Sequence, residues 1–361
     1  MRAAFNGDRN FLAIVIASLT AVIMATGCSG MTPTTRPASN ILFRQSSAST
    51  AMTNRIDLGA HPSWMKLAAE PRSAAGYMYV GQFWAKTVNQ YRTNNRDNNG
   101  PVCEIPVEGS VTGISTDRSG NLYITGDFKT AQGKQVSGVA IFGPDCGSQG
   151  LTFSDPYGGP EDPVIDGQTL YLSSRDDVSL PGSIAVYNIK AGSQPQGELT
   201  DPAAGVGFGV ALDSHHNLFW SNTNTWTSGG QVIEFPRGKM PGIVLKATRI
   251  GLDEPGGVVL DKSNNLLLID QNTDVISIYA PPYKSPPFST ITMRASAWYC
   301  AMGVDQTRLY CLDDVYGSVD AYTYPKGKYL FSYTNGIEAN QGPVGIAVQP
   351  PLPRARRSEF R

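Results

Sequence analysis

Charge of either sign is scarce in this sequence. Asp, Glu, Lys and Arg make up 16% of the 361 residues, and the formal net charge is −1. Because there is no basic surplus to neutralise phosphates, nucleic acid is excluded as an expected partner. The shortage also argues against a helical bundle, since helix surfaces are usually covered by Lys, Glu and Arg. The 38 Gly and 25 Pro favour an all-β chain with many turns instead.

Histidine is scarce as well, which limits the chemistry that the chain can perform. There are three His residues. His215 and His216 stand in a predicted turn with no third His or Cys ligand recognisable nearby, so we interpret them as solvated turn residues. His61 alone leaves a His-dependent acid–base pair poorly supplied. The sequence contains neither a Gly-x-Ser-x-Gly motif nor a P-loop, so no catalytic set is recognised.

The N-terminus carries the one apolar run that suggests export. Phe11–Ala25 contains no charged residue and follows a basic start, which is typical of a secretory signal. The run is shorter than the roughly 20 residues that cross a bilayer. Cys28, directly after small residues, resembles the bacterial lipobox, whose Cys takes a diacylglycerol. The resemblance implies a palmitate-bearing lipoprotein anchored in a membrane of the cell envelope. The alternative is plain secretion, with cleavage near Ala25 or Gly27.

Changes in composition divide the chain into four parts. Residues 1–27 are the expected signal peptide, and residues 28–60 form a Ser-, Thr- and Pro-rich segment that predicts a flexible tether. Residues 61–350 contain the periodic apolar pattern of a folded domain. Residues 351–361 are Arg-rich, and we interpret them as a solvated tail. We expect a monomer.

Four Cys remain after the signal peptide. An exported chain with an even number of thiols is compatible with disulfides. Cys300 and Cys311 flank a predicted hairpin turn, so we expect them to pair. Cys103 and Cys146 are then the remaining pair. Buried free thiols are the alternative for both.

A repeated phrase organises the folded part of the chain. A glycine, a short apolar run and an Asp are followed by a turn and a second apolar run. The Asp residues recur 44 to 49 positions apart, at Asp117, Asp166, Asp213, Asp261 and Asp305. Repeats of this length are supersecondary units stacked on copies of themselves.

Each repeat predicts four antiparallel β-strands. The Asp-x-x-x-Asn segment is a turn between two buried strands, and a third, alternating strand and a weaker fourth follow. Six such units predict a six-bladed β-propeller, closed by sequence from both termini. Residues 63–69 and Val344–Val348 compete for the innermost strand of the first blade.

The repeated phrase resembles the NHL repeat over roughly residues 62–350. That resemblance implies a propeller related to the gluconolactonase (regucalcin-like) enzymes, to the streptogramin B lyases and to exported proteins that only bind. Gluconolactonase-like propellers coordinate one divalent cation with a Glu, an Asn and an Asp, and the cation polarises a lactone carbonyl. At the place of that Glu, this chain has the sequence HPSW at residues 61–64.

Asn222, Asp270 and Asp313 end the second strands of three consecutive blades. Because these strand ends meet at one mouth of the propeller channel, an amide and two carboxylates converge there. Oxygen ligands of this kind suit Ca²⁺ or Mg²⁺. The residues predict a candidate site for one divalent cation. Routine turn residues are the alternative.

Trp226 is a candidate for ligand binding, because it is the one large aromatic in a long polar loop (NTNTWTSGG). Trp220 lies inside a strand, and we expect it in the core. The leading hypothesis is an envelope lipoprotein whose propeller is a binding scaffold for a protein, peptide or glycan. A metal-dependent lactonase-like hydrolase and a purely structural envelope protein are the alternatives.

Overall fold

The computed structural model describes residues 76–349, with gaps at residues 95–97, 130–132, 145, 176–180, 225–228 and 250. The lipidation residue Cys28, the tether, the tail and Trp226 lie outside the described residues. Within the described part of the chain, no helix is long and apolar enough to cross a membrane.

The described residues form six antiparallel sheets of four strands, which are the blades of a β-propeller. In order from the innermost strand outward, the first blade contains β24 (Pro343–Gln349), β1 (Tyr77–Gln82), β2 (Thr87–Arg92) and β3 (Cys103–Pro106). The second contains β4 (Val111–Thr116), β5 (Leu122–Lys129), β6 (Gln135–Phe142) and β7 (Gln149–Ser154). The third contains β8 (Pro160–Asp166), β9 (Thr169–Ser174), β10 (Ser183–Asn188) and β11 (Gly197–Leu199).

The other three blades repeat this order. The fourth contains β12 (Ala204–Leu212), β13 (Leu218–Asn224), β14 (Gly230–Phe235) and β15 (Ile243–Val244). The fifth contains β16 (Pro255–Leu260), β17 (Leu266–Asp270), β18 (Val275–Tyr279) and β19 (Ser289–Thr292). The sixth contains β20 (Cys300–Met302), β21 (Arg308–Asp313), β22 (Ser318–Thr323) and β23 (Tyr329–Tyr333). Short 3₁₀ helices lie at Pro236–Gly238, Lys246–Arg249 and Ala339–Gln341. The six-bladed fold predicted from the repeat is confirmed.

The ring is closed by sequence from both ends of the domain. The innermost strands contact one another in the cyclic order β24, β4, β8, β12, β16, β20. β24 pairs antiparallel with β1, with Val348 opposite Met78 and Ile346 opposite Val80. The C-terminal strand therefore takes the innermost place of the first blade. The competing segment, residues 63–69, lies outside the described residues.

The hydrophobic core lies between neighbouring blades. The second strands are buried on both faces, and every residue of β17 is buried. Leu267 and Ile269 of the fifth blade pack in one cluster with Leu309 and Cys311 of the sixth. A blade therefore needs its neighbours to bury both faces, as expected for a repeat architecture.

The Asp–Asn turns have the local hydrogen bonds that the sequence predicts. Asp213 Oδ1 accepts the backbone N–H groups of His215 and Asn217, each at 2.8 Å. Asp117 and Asp261 make the equivalent bonds in their own blades. These carboxylates fix the turn between the first and second strands, which places the turns on the side of the ring opposite the second-strand ends.

A hydroxyl in the second strand links three pairs of neighbouring blades. Thr125 Oγ1 donates to the carbonyl of Glu161 at 2.7 Å, and Ser221 Oγ donates to Gly256 at 2.6 Å. Ser173 makes the same bond to Phe208. The periodic apolar pattern does not predict these bonds, although each satisfies a backbone carbonyl near the channel.

The sixth blade differs from its expected register. The repeated phrase aligns Met302–Asp305 with the first strands of the other blades, but β20 ends at Met302 and pairs Cys300 with Cys311. The backbone N–H of Gly257 donates to the carbonyl of Trp298 at 2.6 Å. Trp298 and Tyr299 therefore take the places that Gly256 and Gly257 hold in the fifth blade. The offset arises because the turn after β20 is shorter by two residues.

Two disulfides connect strands and blades. Cys300 and Cys311 are joined across β20 and β21. Cys103, in β3, is joined to Cys146, which follows β6 of the second blade. These are the pairings that the sequence favours. Two disulfides are typical of a protein in an oxidising, extracytoplasmic compartment.

Candidate ligand site at the channel mouth

We call the side of the ring where first strands begin and second strands end the channel mouth. Asn222, Asp270 and Asp313 all lie at this end of their strands, as predicted. Each has its own set of partners.

Asn222 and Asp270 both serve the fold. Asn222 is fully buried, and its Oδ1 accepts a hydrogen bond from Gln231 Nε2 at 2.9 Å. The Asp270 carboxylate accepts four backbone N–H groups from the loops on either side of it. The donors are Asp253 at 3.0 Å, Glu254 at 3.3 Å, Asn272 at 3.0 Å and Thr273 at 3.3 Å. Asp270 thus holds two mouth loops together.

Asp313 has one carboxylate oxygen engaged and one without a partner. Its Oδ1 accepts the Tyr316 N–H at 2.9 Å, whereas its buried Oδ2 has no hydrogen-bond partner among the described residues. Burial raises the pKa of Asp313 to about 7, and the neighbouring Asp320 and Asp314 add to the increase. Arg294 opposes it.

A divalent cation at these three residues stays a prediction. In the part of the chain that the structure describes, no group of three or more His, Cys, Asp or Glu is placed to hold a metal ion. A cation here would compete with the amide and backbone N–H groups that Asn222 and Asp270 already accept.

The other aromatic and His candidates divide between core and surface. Trp220 is fully buried and belongs to the core, as expected. His216 lies in the exposed turn of the fourth blade, where its Nδ1 is 2.8 Å from Asp166.

A second set of mouth residues comes from the innermost strands. One position per blade lies just before the residue that pairs with the middle of the second strand. Four blades have glycine there, namely Gly113, Gly209, Gly257 and Gly345. A Cβ on Gly209 would lie 2.6 Å from the Gly257 Cα, so the strands approach too closely for a side chain. The third blade has Asp162 at this position, and the sixth has Tyr299.

Asp162 and Tyr299 enter the channel from opposite sides, because the third and sixth blades are opposite in a ring of six. Asp162 Oδ2 accepts the Val210 N–H at 3.0 Å. Burial raises the pKa of Asp162 to about 8, so the carboxyl group is mostly protonated at neutral pH. Tyr299 is 5% exposed. Burial raises its pKa most, and the nearby Glu161 and Asp162 raise it further.

A buried ion pair lies beside these two residues. Arg175 Nε is 2.7 Å from Glu161 Oε1, and the two side chains are 13% and 9% exposed. The guanidinium carbon lies 5.1 Å from the centroid of the Phe208 ring and 5.6 Å from that of Trp298. Burial raises the pKa of Glu161, although Arg175 opposes the shift. Arg175 thus reaches across the mouth, from its place after β9 in the third blade to the sixth blade.

Two more carboxylates share Arg175 with Glu161. Asp314 Oδ2 accepts the indole N–H of Trp298 at 3.2 Å, and its buried Oδ1 has no hydrogen-bond partner in the described part of the chain. The pKa of Glu254 is raised by burial and then by neighbouring carboxylates, including Asp314, whereas Arg175 lowers it. The mouth therefore combines aromatic rings, one guanidinium and a surplus of acceptors.

Sequence reasoning missed this second set, although part of its signal was present. Glu161 and Asp162 occupy the positions that Gly256 and Gly257 hold in the fifth blade, so a charged pair interrupts a glycine column. Trp298 was hidden by the two-residue offset of the sixth blade.

Comparison with known proteins supports the fold and goes no further. No protein-family model and no curated protein matches the chain. A structure described as a nidogen/laminin complex is similar with a TM-score of 0.59 and 16% identity, over 75% of this chain and 97% of that one. A protein of unknown function from Bacteroides caccae has a TM-score of 0.56 and 11% identity, over 77% of this chain and 100% of the other. At these identities the likeness shows a propeller fold alone.

Proposed function

We propose that this protein is an exported envelope lipoprotein whose NHL-like propeller binds a ligand at the channel mouth. The observation that carries the proposal is the Arg175–Glu161 pair beneath the rings of Phe208 and Trp298. Binding sites combine aromatic surfaces with a few placed polar groups. Residues from the third, fourth, fifth and sixth blades supply both here. The described residues offer no His-based or Ser-based catalytic set, which favours binding over hydrolysis.

The membrane anchor is the second part of the proposal. Acyl chains on Cys28 would hold the protein at about 0.8 kcal/mol per buried CH₂. We expect Cys28→Ser to leave the propeller folded and to move it from the membrane fraction to the soluble fraction. A Ser variant that stays with the membrane after a high-salt wash would contradict the lipid anchor.

The binding site is tested by comparing two tryptophan variants on peptide and glycan arrays. Trp298→Ala removes the ring beside Arg175, whereas Trp84→Ala removes a ring from the first blade and serves as the matched control. We expect the wild type and Trp84→Ala to bind the same array members, and Trp298→Ala to lose them while keeping its thermal midpoint. Equal binding by all three proteins would move the site away from the mouth. No saturable binding by the wild type would favour the purely structural alternative.

The divalent-cation hydrolase is a second candidate because of one observation. Asp313 has a buried oxygen without a partner in the described part of the chain, at the position that the sequence predicts for a metal ligand. Its test is the response of stability to Ca²⁺ or Mg²⁺, which is described for Asp270 below.

A further inference from the structure

We propose that the channel mouth selects a ligand with an organic cationic group, a guanidinium or ammonium such as an Arg or Lys side chain of a peptide, and that Arg175 is the internal substitute for this group. The inference rests on the proposed function and names the ligand class of that same site.

The first observation is that the mouth already holds a guanidinium. Arg175 lies within cation–π distance of Phe208 and Trp298, at 5.1 and 5.6 Å, and pairs with Glu161 at 2.7 Å. Aromatic faces and a carboxylate are the features by which proteins recognise organic cations. The chain's own arginine thus shows that the walls of the mouth are complementary to a guanidinium.

The second observation is that acceptors remain after Arg175 is paired. The hydroxyl of Tyr299, which is 5% exposed, faces Glu161 and Asp162 and makes no hydrogen bond of good geometry with the described residues. Asp314 Oδ1 is likewise buried without a hydrogen-bond partner among them. A buried polar atom left unsatisfied costs about 1–3 kcal/mol, which a donor from a ligand would recover. Guanidinium and ammonium groups carry donors and no acceptors, so they match this set.

The third observation is electrostatic. Glu254 and Asp314 raise each other's charge repulsion at the mouth, and Arg175 is the cation that relieves it for Glu254. A second positive charge would reduce this repulsion, whereas an anionic ligand would increase it. A ligand cation can either join Arg175 beside Glu254 and Asp314 or displace it from Glu161. Removing Arg175 should therefore vacate a place for the ligand.

The experiment uses two probes that differ in charge but hardly in shape. N-acetyl-L-argininamide carries a guanidinium, and N-acetyl-L-citrullinamide replaces it with a neutral urea. Binding of each is measured by calorimetry and by tryptophan fluorescence for the wild type, Arg175→Ala and Glu254→Gln. Arg294→Ala is the matched control, because Arg294 stacks on Tyr316 and Tyr329 away from Phe208 and Trp298. Circular dichroism and the thermal midpoint establish that each variant is folded.

We expect the wild type to bind the argininamide and to discriminate against the citrullinamide at least tenfold. Arg175→Ala should bind the argininamide at least tenfold more tightly than the wild type, Glu254→Gln several-fold more weakly, and Arg294→Ala equally. If Arg175→Ala fails to fold, the wild type and Glu254→Gln still test the charge preference by themselves.

Three results would overturn the inference. One is equal binding of the two probes, and another is binding that Arg175→Ala abolishes, as expected if Arg175 recognises an anion. The third is binding of neither probe. If array ligands still depend on Trp298 in any of these cases, the proposed function stands and the cationic ligand class is wrong. If the arrays show no dependence on Trp298 either, both proposals fail together.

Discussion

At the scale of single residues, Asp162 makes the stability of the propeller depend on pH. Burial raises its folded-state pKa from 3.8 to about 8. Between these values the folded state holds a proton that the unfolded chain has lost, so stability is highest at low pH and falls as the pH rises through about 8. We expect Asp162→Asn to flatten this decline, because an amide cannot ionise and its oxygen can still accept the Val210 N–H. Denaturant unfolding at several pH values between 5 and 9 measures the difference. Parallel curves for the two proteins would show that Asp162 does not titrate in this range.

Asp270 separates a structural role from a metal site. Its Oδ1 accepts three of the four N–H groups and its Oδ2 accepts that of Asp253. Asp270→Asn would place an NH₂ group against a donor, and we expect it to lower the free energy of unfolding of the metal-free protein by about 1–3 kcal/mol. Ca²⁺ or Mg²⁺ should leave the thermal midpoints of both proteins unchanged if Asp270 only holds the loops. A cation-dependent increase of several degrees in the wild type, lost in Asp270→Asn, would support the hydrolase alternative.

At the scale of strands and blades, the hydroxyl bridges should contribute to stability. Ser221 Oγ contacts the carbonyls of both Gly209 and Gly256, and so links the fourth and fifth blades. Ser221→Ala leaves the Gly256 carbonyl without this donor, and we expect a loss of about 1–2 kcal/mol in chemical denaturation. Ser263→Ala, at an exposed turn position, is the matched control and should change stability by less than about 0.5 kcal/mol. Equal losses in the two variants would mean that the bridge contributes nothing specific.

The same scale shows what the sequence can and cannot predict. Blade number, strand order and the Asp–Asn turns follow from the 44–49-residue repeat, because each repeat carries its own local hydrogen bonds. The role of Asp270 does not follow, since its four donors become neighbours only when the loops fold around it. Arg175 and Trp298 lie 123 positions apart in the sequence, and ring closure together with the offset of the sixth blade brings them together. Local patterns therefore predict the scaffold, whereas contacts across the channel require the complete ring.

At the scale of the whole molecule, stability depends on closing that ring. β24 pairs with β1 and also contacts β4 and β20, so it covers the inner edge of the first blade and joins it to both neighbours. Deleting residues 343–361 removes β24 and exposes the unpaired edge of β1. Deleting residues 352–361 removes no described strand.

We therefore expect the longer deletion to abolish cooperative unfolding or to lower the thermal midpoint by more than 10 °C, because one missing strand breaks two blade interfaces. The shorter deletion should change the midpoint by less than about 2 °C, as is usual away from core and capping features. Differential scanning calorimetry of the three chains measures both effects. Addition of a synthetic peptide with the sequence of residues 343–349 should partly restore the transition of the longer deletion, since its backbone can pair with β1 as β24 does. Equal midpoints for the two deletions would mean that another segment, such as residues 63–69, closes the first blade without β24.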